Sequence, residues 1–449
     1  MKDVSGLNRR SFIRNAGLSA LISAAGLGSA ITPNVAAAQP STPRLAGGKP
    51  NLDIPYSHTG FNDSRWDAPA SKYGDHFKYG MGIASMDFEA PACITEALAK
   101  RCEHRSWGYI SSTDSLREAI LQWTSARHGI EIDPSTLVVS HGVYPGVIAG
   151  LRSFVPPGTK TLMLTPIYSG FYSMCRHTNT LTIDSPMLFR NGRWEIDWED
   201  LEAKMRPDVT AMIVCNPQNP TGNMWTEEEL LRIGRLCLDH NIVVLVDEIH
   251  NDFVRAGHRY VPFASLSDKA VVNNSISFGA VSKTFNLAGL KAAYFHSSNP
   301  TLLGRIQRNH RSDLTILGMV ANEAGYREGG EWFDQVLPYI DANHSFVEDY
   351  VKQHMPMVQY KRPEGTFLTF MDFSRVMQSI GAAEQAREKG YESAEHFFQD
   401  WLATQSGVVL NPGTDYGAGS EGHMRMNIAS ARVVVEGALQ AMAAAFRNV

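Results

Sequence analysis

Three apolar runs, each of a length suited to a buried strand, end in residues whose chemistry converges, and this arrangement limits the fold more than any other feature of the chain. Val271 to Phe278 leads into Gly279-Ala280-Val281-Ser282-Lys283-Thr284-Phe285-Asn286-Leu287-Ala288-Gly289-Leu290. Val243-Val244-Leu245-Val246 delivers Asp247-Glu248-Ile249-His250, and Ile213-Val214-Cys215 delivers Asn216-Pro217-Gln218-Asn219-Pro220-Thr221-Gly222. Short continuous apolar runs read as strands of a parallel sheet covered on both faces. A lysine set among small and hydroxyl residues at such a strand end loses hydration, which lowers its pKa and prepares its amine for a Schiff base with a carbonyl cofactor. Taken alone, Lys283 is more simply a snorkelling surface residue. Asp247 and Asn219 upstream argue against that.

The order Asn219, Asp247, Lys283, at separations of 28 and 36 positions, resembles the fold-type-I pyridoxal-phosphate (PLP) enzymes, the aspartate aminotransferase superfamily. The resemblance runs from roughly Asn51 to the C-terminus. It implies an α/β chain, with a large domain whose mostly parallel sheet is flanked by helices and a smaller α/β C-terminal domain. It also implies that Lys283 carries PLP covalently and acts as general base, while Asp247 keeps the pyridine nitrogen protonated. By the same resemblance Asn219 and His250 address the ring's 3-oxygen, and Gly142, Val143, Tyr144, Ser282 and Tyr109 hold the phosphate.

The rest of the chain fits a two-domain α/β plan. Leu137-Val138-Val139-Ser140 reads as a strand, followed by His141-Gly142-Val143-Tyr144-Pro145-Gly146 and a helix-like run. A glycine turn there aims free backbone NH groups and a helix dipole at one spot, which makes a phosphate seat. Thr161 to Thr165 is a further strand. Pro91 to Cys102, Asp197 to Met205 and Thr226 to His240 read as amphipathic helices, the last opened by the capping box Thr226-Glu227-Glu228-Glu229. Strand and helix alternate from about 137 to 298, which predicts a parallel sheet with ligands at the strands' C-terminal ends. Beyond Asn299-Pro300 the pattern is helical through about Gln353, as expected for one long interdomain helix. An alternating strand from Glu364 to Asp372, the segments Val408 to Thr414 and Gly422 to Asn427, and a final helix from Val433 complete the chain. The expected divisions are a leader at 1–38, a flexible arm at 39–50, the first part of a small domain at 51–90, a large domain at 91–320, and the rest of the small domain at 321–449.

Finer motifs narrow the resemblance. Trp66-Asp67, Lys72-Tyr73-Gly74 and Gly82-Ile83-Ala84-Ser85-Met86-Asp87-Phe88 are similar to the opening of the MalY/PatB group of carbon–sulfur β-lyases and related aminotransferases, where a W-D…G…M-D-F run opens the small domain and the active-site mouth; Trp66 reads equally well as a core aromatic. Trp107-Gly108-Tyr109 matches the group's F-G-Y, implying a homodimer in which Tyr109 reaches the neighbouring subunit's phosphate; the alternative is a packed surface tyrosine. Tyr168, in Pro166-Ile167-Tyr168-Ser169-Gly170-Phe171-Tyr172, would by its motif lie flat on the pyridine ring. Arg425 matches the arginine that clamps a substrate α-carboxylate, for which a planar fork is suited; a structural ion pair is the other reading. Several positions depart from the group. Lys291 stands where many aminotransferases carry a phosphate-binding arginine and this group an uncharged residue, Phe370 replaces a tryptophan, and Asn427-Ile428-Ala429-Ser430-Ala431-Arg432 replaces N-A-G-C-P-R.

Composition adds exclusions. At 449 residues the chain exceeds one ordinary core. A net charge of −5 and no basic block after the leader argue against nucleic acid as a partner. Cys93, Cys102, Cys175, Cys215 and Cys237 are scattered, show no metal-binding spacing, and read as buried thiols. Asn8-Arg9-Arg10-Ser11-Phe12-Ile13-Arg14 before a mildly apolar run and Ala36-Ala37-Ala38 resembles a twin-arginine export signal, which implies transport of the folded, cofactor-loaded protein to the periplasm. A membrane anchor is the alternative, but Gly17, Gly26 and Gly28 interrupt a run already short for a span.

These readings lead to an exported PLP-dependent aminotransferase acting on an amino acid or an aminoacyl side group, siderophore maturation such as the pyoverdine glutamate side chain being one setting. The alternative is a MalY/PatB-type cystathionine β-lyase releasing thiol, pyruvate and ammonia. A binding protein with an idle site is disfavoured, because an idle site has no reason to keep Lys283, Asp247 and Asn219 together.

Overall fold

The computed structural model describes residues 49–447 and Val449. The expected leader at 1–38 and all but the end of the arm at 39–50 lie outside the described residues. A seven-stranded sheet organises the chain. In spatial order its strands are Leu137–Ser140, Ala293–His296, Ser275–Gly279, Val243–Asp247, Val209–Cys215, Lys160–Thr165 and Leu181–Pro186. All neighbours run parallel except Ala293–His296, which is antiparallel to both of its partners. The expectation of a mostly parallel sheet therefore holds, with one reversed strand inside it.

Register explains why the three chemistry-bearing segments meet. Cys215 pairs with Asp247, and Asp247 with Phe278, so the turn holding Asn219, the carboxylate of Asp247 and the loop to Lys283 all leave the sheet along one edge. Both faces of the sheet are covered, as the apolar runs require. Leu245 packs on one face with Val147, Leu151, Phe278 and Phe295, while Val244 and Val246 pack on the other with Trp225, Leu230 and Ile233. Each such side chain contributes about 1.5–3 kcal/mol by leaving water.

A second, three-stranded antiparallel sheet is built from Leu368–Asp372, His423–Asn427 and Asn411–Pro412, in that order. It has its own core of Val347, Met371, Phe398, Met426 and Leu439. The two-residue strand Tyr79–Gly80 pairs in parallel with Val408–Val409, which fastens the first described segment to the last third of the chain.

Four sequence expectations need correction. The apolar run from Val271 does not start a strand: Asp268 accepts hydrogen bonds from the Ala270 and Val271 backbone and caps a helical turn, Lys269–Val272, and the strand begins at Ser275. The helical stretch after Asn299 is three helices, Pro300–Asn309, Ile316–Glu328 and Gly330–His354, rather than one. Glu364 is not in a strand. Its carboxylate is drawn to Arg193 and to the Met224 backbone NH, and Gly365 donates to Gly222 O at 2.9 Å, so pairing starts at Leu368. Of the cysteines, Cys175, Cys215 and Cys237 are buried, but Cys93 is half-buried and Cys102 exposed. The capping box is as expected: Thr226 accepts from Glu229 N, and the Glu229 side chain accepts from Thr226 N.

Candidate active site

At the common strand edge lies a cavity of about 620 Å³, a volume suited to a cofactor with a small substrate. Lys283, Asp247, Asn219, Tyr168, His250, Gly142, Val143, Tyr144, Ser282, Lys291 and Arg425 all line it. Of the residues expected to hold the cofactor or the substrate carboxylate, Tyr109 alone lies elsewhere, fully exposed on this chain. Trp66 does not line the cavity either. It is half-buried, donates from Nε1 to Asp87 at 2.8 Å and packs edge-on against Phe77, outside the apolar cores, so neither reading of this residue is met in full.

The cavity crowds cations around one carboxylate. Asp247 is buried, and burial pushes its carboxyl up to about 7, opposed by the hydrogen bond from Ile249 N (3.1 Å) and by the charge of Lys283. Burial, with Arg425 and Lys291 nearby, brings the Lys283 amine down to about 8 despite the pull of Asp247. His250 lies well below the usual imidazole range, first because it is buried and then because Lys283 and Arg425 are close. Arg425 donates from Nη1 to Asn219 Oδ1 (3.1 Å) and from Nη2 to Gly82 O (2.8 Å), and its guanidinium lies 5.1 Å from the Tyr416 ring centre. It forms no ion pair among the described residues, so the structural-ion-pair reading finds no partner carboxylate.

One wall of the cavity is a stretch of coil, residues 82–86, whose backbone is held by side chains from distant segments. Gly82 O accepts from Arg425, Ile83 O from Asn427 Nδ2 (2.6 Å), Ala84 O from Lys283 Nζ (2.7 Å), and Ser85 O from Arg65 Nη1 (2.7 Å). Asn286, at φ 57, grips Met86 on both sides: its Oδ1 accepts from Met86 N (2.9 Å) and its Nδ2 donates to Met86 O (2.8 Å). Asparagine is the non-glycine residue best suited to that left-handed backbone. Arg65, Asn286 and Asn427 are functional supports that sequence reading missed. Their roles rest on contacts to backbone oxygens, which leave no pattern in the chain. Ile83, Ala84 and Ser85, from the run that the resemblance set at the active-site mouth, line the cavity; Cys215 and Asn411 line it without having been expected there.

The departures noted in the sequence separate in space. Lys291 reaches the cavity, whereas Phe370 does not; it packs against Trp194, Tyr416 and His423. Asn427 serves the wall, Ser430 Oγ donates to Asp87, and Arg432 Nε donates to Asn343 Oδ1.

The fold and this edge cavity define a class. The chain belongs to the class I and II aminotransferase family, which matches residues 78–441. Among its relatives are the cystathionine β-lyase PatB of Bacillus subtilis, 34% identical over 88% of this chain and 99% of that protein, and the protein MalY of Escherichia coli, 28% identical over 86% and 96%. The PLP-bound C-S lyase of Staphylococcus hominis shares the architecture with a TM-score of 0.78 and 29% identity, over 88% of this chain and 98% of that one. This protein is accordingly a PLP-dependent enzyme of the aminotransferase superfamily.

The cavity fits that cofactor on its own evidence. The helix Val143–Phe154 begins at Gly142 with no side-chain cap for its first NH groups; Gly142, Val143 and Tyr144 line the cavity together with Lys291, a set that suits a phosphate. His141 Nδ1, His250 Nδ1 and Arg425 Nε are buried and have no hydrogen-bond partner. A polar ligand would satisfy all three.

The Asp247 shift sets a pH expectation for the apoprotein. The folded pKa lies above the unfolded value, so the unfolded chain releases this proton first, and the Asp247 contribution to stability falls as pH rises from about 4 to about 7. The Lys283 amine is protonated in both states across that window and contributes no slope. Thermal melts at pH 5 and pH 7.5 should show wild-type apoprotein losing several degrees relative to Asp247→Asn over that interval; parallel curves would refute the assignment.

Proposed function

We propose that the chain is a carbon–sulfur β-lyase that splits an amino acid carrying sulfur on Cβ, such as cystathionine, into a thiol, pyruvate and ammonia. The observation that carries the reading is the convergence of Lys283, Asp247, Asn219 and Arg425 in one cavity, joined to the lyase names of relatives such as PatB. When bound, PLP supplies an electron sink for the pair released at Cα. Arg425, with its Nε unpartnered, receives the substrate carboxylate. Lys283, with an amine near 8, would take the Cα proton and pass it to the sulfur departing from Cβ. The C–S pair leaves with the thiolate, and water completes release of pyruvate and ammonia. His250 is neutral by virtue of its shift, and it offers a hydrogen bond without adding charge.

The sequence alone leaned to an aminotransferase on three departures and on the export signal. Phe370 packs away from the cavity, and of the segment Asn427 to Arg432 only Asn427 touches its wall, which weakens the part of that lean resting on the departures. Lys291 does reach the cavity and is the specific observation favouring the second reading, an aminotransferase acting on an amino acid or aminoacyl side group. Purified holoenzyme mixed with cystathionine separates the two: pyruvate and ammonia appearing without added keto acid supports the lyase, and conversion of the cofactor to its amine form, reversed only by a keto acid, overturns it.

Arg425→Lys should raise KM by about 10–100-fold with a smaller change in kcat, because an ammonium cannot reproduce the fork on a carboxylate. Steady-state kinetics check this, and an unchanged KM would remove Arg425 from substrate binding.

The reading includes a large domain at 91–320 and a small domain of 51–90 with 321–449, supported by the separate core of the three-stranded sheet. It also includes a homodimer, supported by the full exposure of Tyr109; a monomer by sedimentation velocity would refute it. Export to the periplasm rests on Arg9-Arg10, and wild-type protein confined to the cytoplasm on cell fractionation would end that proposal.

A further inference from the structure

A second cavity, of about 460 Å³, shares no lining residue with the first. Strand register places them side by side. On the three-stranded sheet Phe370 is paired with Arg425, and Asp372 with His423. Alternation then puts Arg425 and His423 on the same face, one lining the catalytic cavity and the other the second.

The floor of the second cavity is aromatic. Phe370 and His423 stack with ring centres 4.8 Å apart and planes 14° apart, and Trp194 leans on both at 6.0 and 5.4 Å. Phe189, half exposed, extends this floor toward solvent by packing on Trp194 at 5.3 Å.

The rim is cationic, and its charges are not all matched. Arg193 is fully engaged by Glu229 and Glu364. Lys361 and Arg362 share the single carboxylate of Glu348, at 3.5 and 2.7 Å. Arg255 has no ion-pair partner among the described residues. Its Nε donates to Pro363 O (2.7 Å) and its Nη2 to His258 Nε2 (2.6 Å). Burial and the neighbouring guanidinium both hold His258 below the usual imidazole range, so it accepts that bond as a neutral ring and cancels no charge. Asp372 also lines the cavity; one of its carboxylate oxygens accepts from Ser374 N.

We propose that this cavity is a second ligand site, for a planar aromatic ring bearing an acidic group, with the ring on the Phe370–His423–Trp194 floor and the anion at Arg255. The floor offers offset stacking, and the guanidinium offers a directed charge-assisted bond. The site is independent of which reaction the first cavity performs.

The test uses holoenzyme and isothermal titration calorimetry with indole-3-carboxylate, and indole-3-carboxamide as the uncharged control. Saturable binding of one carboxylate per chain is expected, at least tenfold tighter than the carboxamide. Arg255→Gln should weaken it about tenfold or more. Lys361→Gln, at an exposed position, should weaken it less while leaving the fold untouched. Three results would overturn the site: no saturable binding at millimolar ligand, equal affinity in Arg255→Gln and wild type, or displacement of the ligand by the amino-acid substrate, which would put it in the catalytic cavity.

Discussion

Lys283→Ala should yield a folded protein that keeps no yellow cofactor through gel filtration and turns over at least ~10⁴-fold more slowly than wild type, because one substitution removes both the covalent anchor and the base. The fold should survive. Lys283 is a cation held near Arg425 and Lys291 with its pKa already lowered, and its one hydrogen bond, to Ala84 O, ties down a wall that Arg425, Asn427, Arg65 and Asn286 also hold. Far-UV circular dichroism and a melting curve serve as the control. A variant that stays coloured and active would remove the amine at 283 from the centre of the mechanism.

Asp247→Asn should lower kcat by about 10²–10³-fold while the protein still binds the cofactor. The amide has the shape of the carboxyl and keeps an oxygen for the Ile249 NH, so packing is preserved. What it loses is the negative charge that would keep a ring nitrogen protonated. The buried position sharpens the effect, since few other anions reach the cavity and water is excluded from the carboxylate. Saturation kinetics distinguish the cases: a fall in kcat at saturating substrate marks the electronic role, and a change confined to cofactor affinity would mark a merely structural one.

Much of this site could be read from the chain because each cofactor-facing residue follows an apolar strand run, and parallel strands in register bring their ends together. Asn219, Asp247 and Lys283 met for that reason, and Gly142 to Tyr144 joined them from another strand of the same sheet. The wall at 82–86 could not be read in the same way. Arg425 and Gly82 lie 343 positions apart and Lys283 and Ala84 lie 199 apart, and both contacts end on a backbone oxygen, which every residue possesses. The misread strand at Val271 has a local cause, since apolar content there suits a helical turn as well as a strand and the Asp268 cap decides it. Phe370 shows a third limit. Alternation tells which residues share a face, but not that the face spans two cavities.

The coil at 82–86 is pinned through its main-chain atoms, so its side chains are spared that duty. Replacing Ile83 or Ser85 would leave the pins from Arg425, Asn427, Arg65 and Asn286 in place. Point changes at Ile83 or Ser85 can therefore reshape the cavity lining while the residues at the strand edge keep their places.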